Sequence, residues 1–186
     1  MPSGLELRGV TKRYEPDTIA LQDVSLNLPG GSVLVLVGPT GSGKTTLLRL
    51  IAGLDEPTDG EIVLNGADLT GRSPKDRDVA MVFQHPMLFI NQSVARNIGY
   101  GLRLRNYPQA EIARRVQDVA GRLQIADLLE RPARRLSGGQ RQQVALARAL
   151  VRKPAIFLFD EPLTYLDLST REQLRAFFQQ LRSTLP

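Results

Sequence analysis

The sequence has no cysteine and no tryptophan, and His85 is its only histidine. The absence of cysteine excludes a disulfide scaffold and a thiolate metal site. A single histidine argues against a histidine-rich metal centre and against a Ser–His catalytic arrangement. We interpret His85 as an ordinary loop residue. Apolar runs such as residues 33–37 and 155–159 reach only five residues, whereas a membrane span needs about 20. The N-terminal residues also lack the pattern of a signal peptide, so we expect a cytoplasmic protein.

The composition is that of an ordinary globular protein: of 186 residues, 42% are hydrophobic and 23% charged, which suits one large domain or two small ones. The net charge of +5 is uneven, because residues 96–153 contain 13 basic and 4 acidic side chains. Such a segment indicates either an anionic partner, such as nucleic acid or lipid, or a solvated helical face. The solvated face is the commoner outcome, and we favour it.

Hydrophobic patterning and turn residues predict an alternation of strands and helices. Residues 32–37 form a continuous apolar run, which is typical of a parallel strand buried on both faces. Asn65-Gly66 indicates a hairpin, and Ser93 and Ser137 are predicted helix N-caps. Strands are predicted over 5–10, 19–28, 32–37, 61–64, 79–83 and 155–159, and helices over 44–52, 93–104, 108–123, 137–152 and 169–182. This order predicts an α/β fold with an inserted helical lobe.

A phosphate-binding loop is predicted at Gly38 to Thr45, which reads GPTGSGKT and fits G-x-x-x-x-G-K-[ST]. Its glycines allow a tight turn whose N–H groups point at phosphate oxygens, and the following helix N-terminus favours negative charge. The Lys44 ammonium would reach the β- and γ-phosphates, and the Thr45 hydroxyl would ligate Mg²⁺.

A pair of acidic residues, Asp160 and Glu161, follows the apolar run Ile156 to Phe159. In a P-loop protein this pattern predicts a second Mg²⁺ element, with Asp160 at the end of a strand beside the P-loop strand. Glu161 is placed to polarise the water that attacks the γ-phosphate. Together with the P-loop, this pair predicts nucleotide hydrolysis.

A third motif, Leu136 to Gln140, reads LSGGQ and opens a predicted helix. It has the features of another anion-binding helix N-terminus, with a serine hydroxyl and two small glycines. A single chain has no second triphosphate for this motif to hold. We therefore expect the motif to close over the ATP that is bound by another subunit. On these motifs, in this order along essentially the whole chain, the sequence resembles the ABC ATPases, in which LSGGQ is the signature motif.

The resemblance implies a P-loop NTPase fold of ABC type, with a mostly parallel core sheet, an N-terminal antiparallel β-subdomain and an inserted α-helical subdomain. It implies ATP and Mg²⁺ as cofactors and Glu161, Gln84 and Lys44 as catalytic residues, with Mg²⁺ held through Thr45, Gln84 and Asp160. Tyr14 matches the family's residue that stacks on adenine. Gln84 matches the Q-loop glutamine, which faces the coupling helix of the membrane partner. Asp167 matches the end of the D-loop, and Tyr165 within that loop departs from the family pattern. The implied nucleotide-binding set is Tyr14, Gly38, Pro39, Thr40, Gly41, Ser42, Gly43, Lys44, Thr45, Thr46, Ser137, Gly138, Gly139, Gln140 and Asp167.

The resemblance also implies a domain organisation. The catalytic core is expected in residues 1–86 and 154–186, and the helical subdomain in residues 87–153. The family carries a switch histidine beyond the catalytic glutamate, and none follows Glu161 here. We therefore expect a chain truncated at its C-terminus, which binds Mg-ATP and hydrolyses it poorly.

Residues 77–84 and 93–102 are similar to importer ATPases of the maltose and glycerol-phosphate type. This similarity implies ATP-driven import of a sugar or related small solute, with the protein peripheral on the cytoplasmic face of the membrane. The implied partners are transmembrane permease subunits, a second ATPase subunit in a head-to-tail dimer and, indirectly, a solute-binding protein, with no nucleic acid. The alternatives are a soluble ABC ATPase acting on nucleic acid or the ribosome, and a nucleotide-binding fragment without turnover. The solute itself is not determined by the sequence.

Overall fold

A computed structural model describes residues 4–164 and 166–184. These residues form two compact units, one made of the chain up to residue 79 with residues 181–184, and one made of residues 80–180. The predicted division into a catalytic core and a helical subdomain at 86/87 and 153/154 stays a prediction.

The first unit is built on an antiparallel sheet with the strand order β2-β1-β3-β4. Its strands are β1 (Gly4–Tyr14), β2 (Thr18–Pro29), β3 (Asp59–Leu64) and β4 (Ala67–Asp68). Leu5 and Leu7 on β1 are buried while Arg8 is exposed, so the alternation of the sequence turns one face of the sheet to the core. The predicted hairpin at Asn65-Gly66 is confirmed: both residues have positive φ, 52° and 79°, as a tight two-residue turn requires.

Helix α1 (Lys44–Ala52) has the predicted bounds and ends on Gly53, whose φ of 73° lets its N–H reach back to the last carbonyls. Arg77, only 1% exposed, closes the same helix end. Its Nη1 donates to the carbonyl oxygens of Leu50 at 2.7 Å and Ile51 at 2.9 Å. A cation at a helix C-terminus also interacts favourably with the helix dipole. The helix that follows the P-loop is therefore fixed at its far end by one arginine.

The predicted buried strand over residues 32–37 is wrong. This segment has no strand conformation, and Val35 and Val37 are 73% and 89% exposed. A strand needs hydrogen-bonded neighbours, and none of the strands described within residues 4–164 and 166–184 pairs with it. The apolar residues of this run favour burial, but the run does not specify the neighbouring strands that a buried strand requires.

The second unit combines a two-stranded parallel sheet with four helices. The strands are β5 (Val79–Val82), which begins at the boundary of the two units, and β6 (Ile156–Phe159). The helices are α2 (Val94–Leu104), α3 (Gln109–Arg122), α4 (Gly138–Leu150) and α5 (Leu168–Thr184). Helix α2 packs against α3 and α4 through buried side chains that recur at helical spacing: Val94, Ile98, Leu102, Ile112, Val116 and Val144.

Both predicted serine caps of this unit are confirmed. The Ser93 hydroxyl accepts from the Arg96 N–H, and the Ser137 hydroxyl accepts from the Gln140 N–H. Helix boundaries differ from the predictions by one or two residues: Pro108 precedes α3 as its cap instead of opening it, and α4 ends at Leu150. Of the helices in the described part of the chain, none has the length and apolarity to cross a membrane.

Candidate nucleotide-binding site

The loop from Gly38 to Gly43 wraps around the ammonium group of Lys44. Lys44 Nζ donates to the carbonyl oxygens of Gly38 at 2.9 Å and Pro39 at 2.8 Å. Gly41 and Gly43 have φ values of 84° and 86°, which only glycine adopts without strain. Gly43 also precedes α1 as its N-cap without any capping side chain. The first N–H groups of α1 and the lysine thus form a donor set suited to an anion.

Tyr14, the predicted adenine-stacking residue, ends β1 and is 38% exposed. Its hydroxyl donates to Asp55 Oδ2 at 2.6 Å. The bond to Asp55, then burial, raise the pKa of Tyr14 above its ordinary value. The structure thereby joins Tyr14 to the loop that follows α1.

Glu161, the predicted base, is held by two donors. Gln84 Nε2 and Thr164 Oγ1 each donate to Glu161 Oε2 at 3.1 Å. Glu161 itself has a φ of 46°, a left-handed conformation that is uncommon for a residue with a side chain. Such backbone strain persists where the surroundings enforce it, which is frequent at functional sites. The structure therefore brings Gln84 and Glu161 together.

Asp160 follows β6 and is buried, with 9% of its surface exposed. Its N–H donates to the Val82 carbonyl at 3.0 Å, which extends the pairing of β6 with β5. The expectation that this strand lies beside a P-loop strand is wrong, because residues 32–37 form no strand and β6 pairs with β5. The carboxylate nevertheless stands at the end of a strand, as predicted.

The predicted signature residues open α4. Ser137 and Gln140 form a capping box, since the Gln140 side chain also accepts from the Ser137 N–H at 3.0 Å. The two glycines differ: among the described residues, a Cβ on Gly138 would meet nothing within 4 Å, whereas one on Gly139 would lie 3.3 Å from Thr170. Gly138 thus leaves the helix end open to a ligand, and Gly139 allows α4 to pack closely on α5.

Asp167 opens α5, where its carboxylate accepts from the Thr170 N–H at 2.9 Å and from the hydroxyls of Ser169 and Thr170 at 2.7 and 2.8 Å. The hydrogen bond from Ser169, followed by the two from Thr170, holds the pKa of Asp167 well below its ordinary value. Asp167 therefore acts here as a helix cap. Tyr165, in the predicted D-loop, lies outside the described residues.

Within the second unit, a cavity of about 290 Å³ joins the segments of three predicted motifs. Its lining comes from the Q-loop, the start of α4 and the D-loop: Gln84, His85, Pro86, Gly138, Arg141, Gln142, Thr164 and Leu166. Gln142 is 3% exposed, and its Nε2 has no hydrogen-bond partner within the part of the chain that the structure describes. Sequence reasoning missed the roles of Thr164 and Asp55. The Asp55–Tyr14 contact joins residues 41 positions apart. Thr164 lies only three positions after Glu161, but the motif does not show that its hydroxyl turns back to that carboxylate.

Comparison with known proteins places these motifs in a family. A model of the ABC transporter family matches residues 21–164. The chain is 48% identical over 183 residues to the sn-glycerol-3-phosphate import ATP-binding protein UgpC of Burkholderia thailandensis, covering 98% of this chain and 51% of that protein. The Escherichia coli K12 protein of the same name is 46% identical with the same coverage. The chain spans about half the length of the curated relatives it matches.

Solved structures agree on the fold. CbiO1 from Clostridium perfringens, described as part of the ABC transporter complex cbiONQ, matches with a TM-score of 0.85 and 27% identity over 100% of this chain and 76% of its own. The ATP-binding cassette MJ0796, solved as a dimer in a post-hydrolysis state with ADP and Pi, matches with a TM-score of 0.85 and 30% identity over 96% of this chain and 82% of its own. With its P-loop, signature helix and Asp160-Glu161 pair, the chain belongs to the ABC transporter family, as an ABC-type ATPase domain.

Proposed function

We propose that this chain provides the ATP-binding and hydrolysis site that drives import of a small solute through a membrane permease. The observation that carries the proposal is the pairing of Glu161 with Gln84 next to Asp160. A carboxylate fixed at Oε2 keeps Oε1 as the oxygen that can take a proton from an attacking water.

The phosphate end of ATP would be held by backbone N–H groups of residues 40–43, by Lys44 and by the start of α1. The fit is supported by the uncapped helix end and by the glycine conformations at Gly41 and Gly43. The Mg²⁺ ligands that the family resemblance implies are Thr45 in the first unit and Gln84 and Asp160 in the second, and each offers an oxygen of the kind this ion prefers. The ion would supply charge neutralisation at the phosphates.

Residues Ser137 to Gln140 would close over the ATP of a second copy in a head-to-tail dimer. The open approach at Gly138 supports this role, because a phosphate can come close to a helix end that has no Cβ in its way. The Ser137 hydroxyl accepts its capping bond and keeps its own hydrogen for a ligand. Asp167 would lie at the same seam.

A permease subunit would dock on the loop after Gln84. Met87, Phe89 and Ile90 are 78%, 40% and 58% exposed in this loop, which is unusual for neighbouring apolar side chains. Asn97, fully buried, fixes the loop: its side chain accepts from the Phe89 N–H at 2.8 Å and donates to the Phe89 carbonyl at 3.1 Å. A rigid apolar surface of this kind suits a protein partner.

The solute class is proposed from the relatives, which are named for the import of sn-glycerol-3-phosphate. We propose a sugar or a related small solute such as a phosphorylated polyol, with the protein peripheral on the cytoplasmic face of the membrane. The solute-binding subunit would act through the permease, without touching this chain.

Nucleic acid is a weaker candidate for the partner of the basic segment. Several of its arginines serve the fold: Arg114 and Arg115 bind Glu111, and Arg141 Nη1 donates to the Leu136 carbonyl at 2.8 Å. Burial lowers the pKa of Arg148, whose surface is only partly exposed. These contacts support a structural use of the positive charge.

The test uses the full-length protein with its membrane subunits in vesicles. Glu161→Gln is expected to reduce phosphate release and solute uptake by about 10²- to 10⁴-fold while ATP still binds, and Lys44→Ala is expected to abolish both binding and turnover. Glu172→Gln, an exposed glutamate on α5, is the matched control. Normal hydrolysis by Glu161→Gln would contradict the assignment of the base. Hydrolysis that falls without any loss of uptake would contradict the coupling to import.

A further inference from the structure

Tyr14 is held by a small polar cluster that no motif describes. Asp55, in the loop after α1, accepts from the Tyr14 hydroxyl at 2.6 Å through Oδ2 and from Lys12 Nζ at 2.7 Å through Oδ1. Lys12 Nζ also donates to the Glu56 carbonyl at 2.7 Å. The side chains of Lys12 and Asp55 are only 13% and 20% exposed. The cluster is therefore built into the fold.

Lys12 Nζ also lies 4.9 Å from the centroid of the Tyr14 ring. A cation at this distance is attracted to the ring face. Lys12 and Asp55 therefore both restrain the ring. Tyr14 remains 38% exposed, which leaves part of the ring accessible from solvent. The phenol is thus tied at its hydroxyl and flanked by an ammonium while it stays accessible.

The cluster joins the ring to the P-loop helix. The Tyr14 hydroxyl is bonded to Asp55, which lies three residues after the last residue of α1. Because Asp55 adjoins the C-terminal end of α1 and the P-loop leads into its N-terminal end, the helix sets the distance between the ring and the P-loop. A ring fixed in this way loses little conformational freedom when a flat ligand stacks on it.

We propose that Lys12 and Asp55 are positioning residues that set the Tyr14 ring at the distance from the P-loop that a purine nucleoside triphosphate requires. The inference rests on the proposed function, since it assumes that Tyr14 stacks on the base and that the P-loop holds the phosphates. A cluster that serves only to fasten β1 to α1 would affect the stability of the fold and leave the preference for a nucleoside unchanged.

The experiment compares ATP with inorganic triphosphate, which can occupy the P-loop but has no base. Dissociation constants are measured by calorimetry on the full-length protein and on three variants: Asp55→Asn, Tyr14→Phe and Tyr14→Ala. Tyr14→Phe keeps the stacking ring and removes its anchor. Asp59→Asn, an exposed position on β3, is the matched control. Thermal unfolding of each variant checks the fold.

We expect Asp55→Asn and Tyr14→Phe to weaken ATP by about three- to tenfold and to leave inorganic triphosphate unchanged. Asp55→Asn is expected to add nothing further in a Tyr14→Ala background, because the ring that it positions is gone. Equal weakening of both ligands, or ATP binding by Tyr14→Phe as tight as in the parent protein, overturns the inference. If Asp55→Asn does not fold, Tyr14→Phe decides. If the parent protein binds inorganic triphosphate but prefers no nucleoside, the stacking role of Tyr14 fails; if it binds neither ligand, the proposed function fails first.

Discussion

Gln84 donates a hydrogen bond from its Nε2 to Glu161 Oε2 at 3.1 Å, although the two residues lie 77 positions apart. The Thr164 hydroxyl donates to the same oxygen at 3.1 Å. Two donors on one carboxylate oxygen fix the plane of the group and direct the second oxygen outward. The glutamine that follows β5 and the turn that follows β6 thus act on one side chain.

Thr164→Val is expected to reduce kcat for ATP hydrolysis by about five- to tenfold in the full-length protein with its membrane subunits. The substitution keeps the shape of the side chain and removes one of the two donors to Glu161, and a single hydrogen bond contributes about 1 kcal/mol. KM for ATP is expected to stay unchanged, since Thr164 lies outside the P-loop and donates to Glu161. Steady-state phosphate release measures both constants. Thr164→Ser, which keeps the hydroxyl, serves as the control, and a fall in kcat as large for serine as for valine would contradict this role.

Arg77→Met is expected to lower the free energy of unfolding by about 1–3 kcal/mol. The variant fills much of the same space but leaves the Leu50 and Ile51 carbonyls at the end of α1 without their donor. Urea unfolding followed by circular dichroism measures the change. Arg72→Met, an exposed arginine nearby, is expected to change the free energy far less. Equal effects of the two substitutions would mean that the buried hydrogen bonds contribute nothing specific.

Ser137→Ala is expected to destabilise the protein by about 1 kcal/mol, because it removes the side-chain cap of α4. Ser137→Asp is expected to restore that stability, since a carboxylate can accept the same bond from the Gln140 N–H and suits the positive end of the helix dipole. Urea unfolding of the two variants measures this difference.

The Ser137→Asp variant also separates the effect of the helix cap on stability from the proposed role of Ser137 in the dimer. It places a negative charge where the proposed dimer would bring a phosphate, so ATP-dependent association of two copies is expected to be lost in Ser137→Asp although the fold is stable. Association is measured by analytical ultracentrifugation in a Glu161→Gln background, which prevents turnover. Association as strong as that of the parent protein would argue that Ser137 only caps the helix.

The stability that Glu111 contributes is expected to depend on pH. Hydrogen bonds from Arg114 and then Arg115 lower the pKa of Glu111 to about 2 from an ordinary value of 4.5. Since the folded state holds the proton less tightly than the unfolded state, the contribution is complete above about pH 4.5 and is lost as the pH falls towards 2.

The measurement compares the parent protein with Glu111→Gln by urea unfolding between pH 7 and pH 3. The difference in the free energy of unfolding is expected to be constant near neutral pH and to shrink below pH 4.5. It is expected to be small and to decrease with added salt, because Arg114 is 71% exposed and exposed ion pairs are screened. A difference that grows on acidification would have the wrong sign for this mechanism.

Local signals in the sequence predicted the local structure well. The bounds of α1, the caps at Ser93 and Ser137 and the Asn65-Gly66 hairpin were all predicted, and all are present. Each depends on residues within about one turn of each other, where side-chain chemistry acts directly on the backbone. The segment 32–37 shows the opposite case, because a strand depends on neighbours that an apolar run does not specify.

The sequence by itself determined the chemistry of this protein: the P-loop at Gly38 to Thr45, the acidic pair at Asp160 and Glu161, and the signature residues at Ser137 to Gln140. Each is a contiguous motif, so its residue types and their spacing can be recognised in the sequence without knowledge of the fold. Only the tertiary structure decided that Gln84 and Thr164 hold Glu161, that Asp55 anchors Tyr14, and that Gly139 packs against Thr170. Most of these contacts join residues more than 30 positions apart, and such contacts follow from the packing of helices and strands, which no local pattern encodes.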